Sequence, residues 1–182
     1  HSYEKAFLKE LRIAVSTARA GNVIGGGDFA ADRIIPDCVR AVSDGKKIAV
    51  RNPHSTRPYQ HVLEPLGAYL MIAGHQYEDP SKAGAYNVGP GDDDCITTGQ
   101  LADFFCEAWG GGASWENLYQ GGPHEANFLK LDCSRIHSTF GWKPHWKVKE
   151  AINHTVEWYQ AWLNGTDMEA YTDIQIKEYF GI

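Results

Sequence analysis

The chain has 182 residues, of which 43% are hydrophobic and 22% are charged, and its formal net charge is −6. This composition is typical of a globular domain that can bury a core, so we expect one domain. The negative charge argues against nucleic acid as a partner, because non-specific binding needs a basic surface that displaces counterions. The sequence has no long apolar run and no Cys-x-x-Cys spacing, which predicts a cytoplasmic protein with four free thiols and no membrane contact.

Short apolar runs alternate with amphipathic segments, and this alternation predicts an α/β protein. In chain order, the first half is predicted to contain the end of a helix at His1–Arg12, a buried strand at Ile13–Thr17, a helix at Ile34–Ser43, strands at Ile48–Val50 and Arg57–Leu63, and a helix at Glu64–Tyr77. The second half is predicted to contain a strand at Ala85–Val88, a helix capped by Thr98 at Thr98–Trp109, a strand at Phe128–Leu131, and helices at Ser134–Phe140, Val148–Leu163 and Thr172–Phe180.

The segment Arg19–Pro36 is predicted to be a crossover loop that connects the first strand to the next helix. Ligands of open α/β sheets collect outside the carboxyl ends of strands, so a ligand site is expected in this loop. The run Gly25–Gly27 would let the backbone approach a ligand closely, although a tight turn that packs helix on strand explains it equally well. The run does not fit a dinucleotide fingerprint or a P-loop, so we do not place a dinucleotide pyrophosphate here.

Polar side chains in and after this loop favour an anionic, polyhydroxylated ligand such as a sugar phosphate. They are Asn22, Asp28, Arg33, Arg51 and Arg57. The planar guanidinium of arginine matches the geometry of a phosphate with two parallel hydrogen bonds, and this match is the basis of the interpretation.

Three other patterns are given structural rather than chemical interpretations. The acids Asp92–Asp94 lack the alternate spacing of a calcium loop and are interpreted as a solvated turn. The pair His124-Glu125 lacks the second histidine of a zinc-protease helix, so no metal is predicted. Trp158 and Trp162 lie four positions apart on a predicted helix, which favours a buried stripe over a stacking platform for a sugar or a base.

Three separated blocks carry a family resemblance. They are Arg-Ala-Gly-Asn-Val-Ile-Gly-Gly-Gly-Asp at 19–28 with Asp-Arg-Ile-Ile-Pro-Asp at 32–37, then Arg-Asn-Pro at 51–53 with Arg-Pro-Tyr-Gln-His-Val-Leu-Glu-Pro at 57–65, and Pro-His-Glu-Ala at 123–126 with Leu-Lys-Leu-Asp-Cys-Ser at 129–134. In this order they resemble the CDP-glucose 4,6-dehydratases, which are extended short-chain dehydrogenases/reductases. The resemblance runs over nearly the whole chain but corresponds to the carboxy-terminal half of that family.

The resemblance implies a fold made of the last Rossmann strands and the smaller substrate-binding lobe. Rossmann parts are expected at about 1–20 and 64–90, and the nucleotide-sugar-binding lobe at about 21–63 and 91–182. The family's glycine-rich dinucleotide turn and its Tyr-x-x-x-Lys pair are absent from this sequence, since Tyr3 is followed four places later by Phe7. We therefore expect the catalytic groups upstream of His1, and we expect the chain alone to be inactive.

The family reaction converts CDP-glucose to CDP-4-keto-6-deoxyglucose and water. Bound NAD oxidises C4, water is lost across C5 and C6, and the hydride returns to C6. The resemblance thus implies CDP-glucose as the small-molecule partner and NAD as the cofactor of the parent enzyme, with a homodimer left open. A non-catalytic nucleotide-sugar-binding module and a fragment of another nucleotide-sugar epimerase or dehydratase are the alternatives.

The resemblance also implies roles for individual residues. Arg57 is expected on the sugar diphosphate, Asn22 on a phosphate oxygen, and His124 as a hydrogen-bond donor in a loop that closes over the diphosphate. Arg33 and Ile34 are expected to bracket the base and the ribose against the segment formed by Ala49, Val50 and Arg51. The backbone around Val23 is expected to touch the nicotinamide end of the cofactor.

Overall fold

The structure is a computed structural model that describes residues 7–8, 10–11, 13–119 and 128–182. Six α-helices and eight short strands occur in these residues. In chain order they are β1 (Thr17–Ala20), β2 (Asn22–Ile24), α1 (Ile34–Ser43), β3 (Ile48–Val50), β4 (Thr56–Arg57), β5 (Tyr59–His61), α2 (Leu63–Glu78), β6 (Ala85–Val88), β7 (Ile96–Thr97), α3 (Thr98–Trp109), β8 (Trp115–Asn117), α4 (Ser134–Phe140), α5 (Val148–Leu163) and α6 (Met168–Phe180). In the described part of the chain, no helix has the length and apolar character needed to cross a membrane.

The strands pair two by two, and three of the four pairs are parallel. β1 pairs with β6, β2 with β5 and β3 with β8 in parallel, whereas β4 and β7 are antiparallel. The pair β1–β6 lies next to the pair β2–β5, and two hydrogen bonds join them. The Gln60 side-chain amide donates to the carbonyl of Val88 at 2.8 Å, and the Gly21 amide donates to the same carbonyl at 3.1 Å. Parallel strands separated by helices are the α/β arrangement that the sequence predicts.

Most predicted helices are confirmed to within a few residues, because their apolar faces are buried. The main core lies between α1, β3, α3 and α5, and a second cluster joins α2, β6 and α4. The α3 cap is one residue earlier than predicted: Thr97 accepts from the Gln100 amide, and the Gln100 side chain accepts in return from the Thr97 amide. This reciprocal pair is a capping box, so the assignment of the cap to Thr98 is wrong.

Several predicted strand limits are wrong, and each has a structural reason. The first strand begins at Thr17 rather than Ile13, because its first backbone bond is from the Thr17 amide to the carbonyl of Gly84. It also crosses part of the predicted loop, and its first three residues are exposed rather than buried. Pro58 lacks an amide hydrogen and divides the predicted strand Arg57–Leu63 into β4 and β5.

Other expectations fail where tertiary contacts decide the outcome. At Phe128–Leu131 only Phe128 makes a bridge, to Thr56. In the acidic run, Asp92 and Asp93 are exposed as expected, but the Asp94 carboxylate accepts from the Val148 amide at 2.8 Å and caps α5. Residues 1–6, 9 and 12 of the predicted first helix lie outside the described residues.

The predicted buried stripe on α5 is wrong for Trp162 and only partly right for Trp158. Trp162 is 42% exposed, and its ring packs on Phe29, with 4.9 Å between the ring centroids. Trp158 is half-buried and donates from its indole nitrogen to the Thr172 hydroxyl at 2.9 Å. The inward positions of α5 are instead held by other residues, among them Tyr159, which is fully buried.

One buried carboxylate joins three separate parts of the fold. Glu64 is fully buried in the first turn of α2. Its oxygens accept from the amides of His145, at 3.0 and 2.9 Å, and Trp146, at 2.8 Å, and from the hydroxyl of Tyr179, at 2.8 Å. Burial, followed by the nearby Glu64 carboxylate, raises the pKa of Tyr179. The carboxylate therefore links α2 to the segment before α5 and to α6.

Replacement of this carboxylate should destabilise the whole chain. Glu64→Ala leaves two backbone amides and a hydroxyl buried without their acceptor, so we expect a loss of about 2 to 5 kcal/mol in the free energy of unfolding. Tyr179→Phe removes one of the donors and should cost about 1.5 to 3 kcal/mol. Urea unfolding followed by circular dichroism measures both. The exposed Glu116→Ala is the control, and a Glu64→Ala loss no larger than that of the control would contradict this role.

A buried histidine is expected to make the stability depend on pH. His61 is 1% exposed, and its Nδ1 accepts from the Leu63 amide at 3.3 Å. Burial, followed by the nearby His154, lowers the pKa of His61 from 6.5 to about 3. The folded chain thus holds this imidazole neutral, whereas the unfolded chain protonates it below about pH 6.5.

The unfolded state therefore takes up one more proton than the folded state between these two pKa values. We expect the free energy of unfolding to fall by about 1.4 kcal/mol per pH unit from pH 6.5 down to about 3, in addition to the effect of the carboxylates. Urea titrations at several pH values measure the slope. His61→Asn keeps an acceptor near the Leu63 amide and should flatten it, whereas the exposed His54→Asn should not. Equal slopes in the two variants would show that His61 does not cause the dependence.

Candidate functional site

A cavity of about 520 Å³ opens where β2 and β3 end, beside the first turn of α1. It contains eight of the nine residues that the sequence predicts for binding: Asn22, Val23, Arg33, Ile34, Ala49, Val50, Arg51 and Arg57. The ninth, His124, lies outside the described residues. Residues from four separate segments are thus brought together, and their individual roles stay predictions.

The strand order explains why these segments meet. β2 runs parallel to β5, and the residues that follow β2 enter the cavity wall together with those at the end of β3. Carboxyl ends of parallel strands leave backbone groups and loop side chains open to a ligand, which is the usual position of a site in this fold class. Val23 illustrates the point, because its apolar side chain is 40% exposed although it lies in a strand.

The glycine run after β2 has a packing reason. A Cβ atom on Gly26 would come within 2.0 Å of the Trp158 ring, and one on Gly25 would come within 2.8 Å of Val62. Gly27 has φ of +80°, a conformation that favours glycine. The loop therefore lies directly on α5, as the turn interpretation requires, while Gly25 also lines the cavity.

The loop is also tied to α5 by a buried hydroxyl. Tyr159 donates its hydroxyl to the backbone carbonyl of Asp28, and its ring meets Phe29 edge-on at 5.9 Å between centroids. Burial, followed by the Asp28 charge, raises the pKa of Tyr159 to about 12. The hydroxyl thus stays a donor at neutral pH, and it holds the cavity side of the loop in place.

The mouth of the cavity carries alternating charges. Arg33 pairs with Asp28 at 3.1 Å, and Arg51 pairs with Asp32 at 2.7 Å. Asp32 has φ of +60°, the only positive φ outside glycine in the described chain. Both arginines are well exposed, so these ion pairs contribute little to stability, and an incoming anion can exchange with the carboxylates.

Arg57 enters the cavity from the short antiparallel pair. It lies opposite Ile96 of β7, is half-buried, and donates from Nη1 to the carbonyl of Thr56 at 3.0 Å. β4 therefore fixes both its backbone and one of its guanidinium nitrogens. A guanidinium held in this way suits a negatively charged group of a ligand that reaches the inner part of the cavity.

A row of hydroxyls that could not be predicted from the sequence also lines the cavity. Thr98 lies 3.1 Å from the hydroxyl of Ser55 and 3.1 Å from that of Tyr59. Asp32 and Asp37 line the cavity as well, although the sequence indicates no ligand role for either beyond their place in the block at 32–37. Isolated serines, threonines and aspartates follow no periodic pattern in the sequence. Their common position in the cavity is therefore visible only in the folded chain.

A larger cavity of about 920 Å³ lies after β6, between Trp142, Trp146 and the acidic turn. None of the eight predicted binding residues that the structure describes lines it. Its lysines face aspartates: Lys130 lies 3.5 Å from Asp92, and Lys147 lies 3.8 Å from Asp93. We favour the smaller cavity as the ligand site because arginines converge there at the ends of two parallel pairs.

Comparison with known proteins supports the resemblance that the three blocks indicate. The chain is 42% identical to CDP-glucose 4,6-dehydratase from Salmonella typhimurium over 178 residues. This match covers 97% of the chain and 50% of the relative, so the chain spans about half the length of this curated relative. No protein-family model matches the chain. The predicted resemblance to CDP-glucose 4,6-dehydratases is thus confirmed.

Two solved structures with the same fold are a UDP-sugar epimerase and a dTDP-sugar dehydratase. UDP-N-acetylglucosamine 4-epimerase from Methanobrevibacter ruminantium has a TM-score of 0.72 at 20% identity, over 88% of this chain and 49% of its own. The dTDP-glucose 4,6-dehydratase DesIV from Streptomyces venezuelae, solved with NAD, has a TM-score of 0.70 at 17% identity, over 91% and 48%. The predicted fold class, α/β as in part of an extended short-chain dehydrogenase/reductase, is confirmed.

Removal of the Arg57 guanidinium should weaken the binding of CDP-glucose, the ligand that the resemblance implies. Arg57→Ala should cost about 2 to 5 kcal/mol of binding free energy, because a desolvated charge would lose its partner. Arg57→Lys should recover only part of this loss, since it keeps the charge but loses the planar fork. Isothermal titration calorimetry measures both variants, with Arg19→Ala on exposed β1 as the control. A cost below about 0.5 kcal/mol, the scale of exposed ion pairs, would mean that Arg57 is a surface residue only.

Proposed function

Because the chain resembles CDP-glucose 4,6-dehydratases along almost all of its length, we propose that it is the nucleotide-sugar-binding half of such an enzyme. The parent enzyme would convert CDP-glucose to CDP-4-keto-6-deoxyglucose and water. One observation carries the proposal: eight residues chosen from the sequence line a single cavity. A shared surface of this kind is not required of residues that only stabilise the fold.

In this proposal the cavity binds the ligand in three parts. Arg57 and Asn22 bind the diphosphate, whose charge matches the guanidinium. Arg33 and Ile34 face the segment Ala49–Arg51 across the cavity and bracket the base and the ribose. The row of hydroxyls at Ser55, Tyr59 and Thr98 supplies donors and acceptors for the polyhydroxylated part of the ligand.

The contribution of this chain to the NAD site is limited to one edge. Val23 presents an exposed apolar side chain from the middle of β2 at the cavity wall, which suits the face of a nicotinamide ring. NAD, when bound to the parent enzyme, supplies the hydride acceptor that makes the C5 proton acidic enough for loss of water. The sequence has no Tyr-x-x-x-Lys pair to act as the base at the C4 hydroxyl. We therefore propose that this chain binds and orients the ligand, and that catalytic residues outside it perform the chemistry.

Titration of the chain with nucleotide sugars tests the proposal. We expect saturable binding of CDP-glucose, competition by CDP, and weaker binding of dTDP-glucose and UDP-glucose. Binding should weaken as salt rises, because the diphosphate contacts are ionic. Failure of all three nucleotide sugars to bind would contradict the proposed function. Equal affinity for CDP-glucose and dTDP-glucose would remove the cytidine assignment and leave a general nucleotide-sugar site.

A further inference from the structure

One carboxylate in the cavity lies between the two segments that we assign to the base. Asp37 is in the first turn of α1, three positions after Ile34, and it lines the cavity. Its Oδ1 accepts from the Arg40 guanidinium. Its Oδ2 lies 4.0 Å from Nη2 of Arg51, which is beyond hydrogen-bonding distance. This oxygen is therefore positioned to accept a hydrogen bond from a ligand.

The orientation of Asp37 is fixed by a well-anchored neighbour. Besides pairing with Asp37, Arg40 donates from Nη1 to the carbonyl of Phe29 at 3.2 Å and from Nη2 to that of Ala30 at 3.1 Å. Arg40 does not line the cavity, so it supports the carboxylate from behind. A carboxylate held on one side and open on the other is a directional acceptor.

The other two carboxylates of the cavity are engaged differently. Asp28 accepts from Arg33 and, through its other oxygen, from the Ala30 amide at 3.0 Å, so both its oxygens serve the loop. Asp32 binds Arg51 at 2.7 Å, and its side chain is 79% exposed at the mouth. Among the three, Asp37 thus has the geometry that suits recognition of a base edge.

The pyrimidine bases differ in the group that such an acceptor would meet. Cytosine carries an amino group at position 4, which donates hydrogen bonds, whereas uracil and thymine carry a carbonyl oxygen there. An ionised carboxylate only accepts. It therefore forms a charge-assisted hydrogen bond with cytosine and repels the carbonyl of the other two bases.

We propose that Asp37 accepts a hydrogen bond from the 4-amino group of cytosine and thereby determines the preference of this site for cytidine nucleotides. The proposal rests on the proposed function, because it requires a nucleotide in this cavity. It goes beyond that function by assigning the choice of base to one side chain. An acid in the first turn of a helix also stabilises the helix, so the test needs a quantity that stability does not change.

The ratio of the affinities for CDP and UDP is such a quantity. Asp37→Asn keeps the size of the side chain and adds an amide donor that can face the uracil carbonyl. Calorimetry should show that the preference for CDP over UDP falls about tenfold or more, the scale of one specific base contact. Asp44→Asn removes the same charge from the other end of the same helix, outside the cavity, and should leave the ratio unchanged. An unchanged ratio in Asp37→Asn would overturn the assignment while leaving the nucleotide site in place.

A change in the ligand tests the same contact without altering the protein. A CDP analogue without the 4-amino group should bind the unmodified chain about tenfold more weakly than CDP. Equal affinities would overturn the role of Asp37, even if Asp37→Asn does not fold. If the unmodified chain binds neither CDP nor UDP, the proposed function itself fails. The two failures are therefore distinguishable.

Discussion

The arrangement of the chain depends on the burial of a single negative charge, that of Glu64. A carboxylate without water is costly unless donors surround it, and here two backbone amides and one hydroxyl do so. The hydroxyl of Tyr179 lies 115 positions away in the sequence. The interaction therefore joins α2 to α6 and fixes the start of α5, where the Trp146 ring packs against His61 at 4.9 Å between centroids.

α5 in turn determines the shape of the cavity loop. Its Trp158 ring covers Gly26, and its Tyr159 hydroxyl holds the carbonyl of Asp28. Thr172 of α6 accepts a hydrogen bond from the indole nitrogen of Trp158. A change far from the cavity, in α6, can thus alter the position of the residues that pair with Arg33. The candidate ligand site and the carboxy-terminal helices are therefore linked through these contacts.

Much of the fold and part of the site could be predicted from the sequence, and the difference has a physical basis. Helices such as Val148–Leu163 bury a face, so the spacing of their apolar residues reveals them. Arg57 and Arg51 could be placed beside a ligand because the blocks that contain them resemble a known family, and both line the cavity, while their roles stay predictions. Asp37 was not singled out in the sequence because Arg40 and Arg51 approach its carboxylate only in the folded chain. Trp162 was misassigned because helical spacing does not indicate which face the core occupies.

The parallel strand pairs have a consequence for how the cavity forms. β1 pairs with β6, β2 with β5 and β3 with β8. In each pair, at least one helix lies between the two strands in the sequence. Contacts between distant parts of a chain require closure of long loops before they gain stability, so they form slowly. Helices α1, α2 and α5 can form early from local contacts, but the cavity walls cannot. Refolding chains that already contain their helices would therefore still lack the pocket, and the binding surface would emerge only with the final cooperative step.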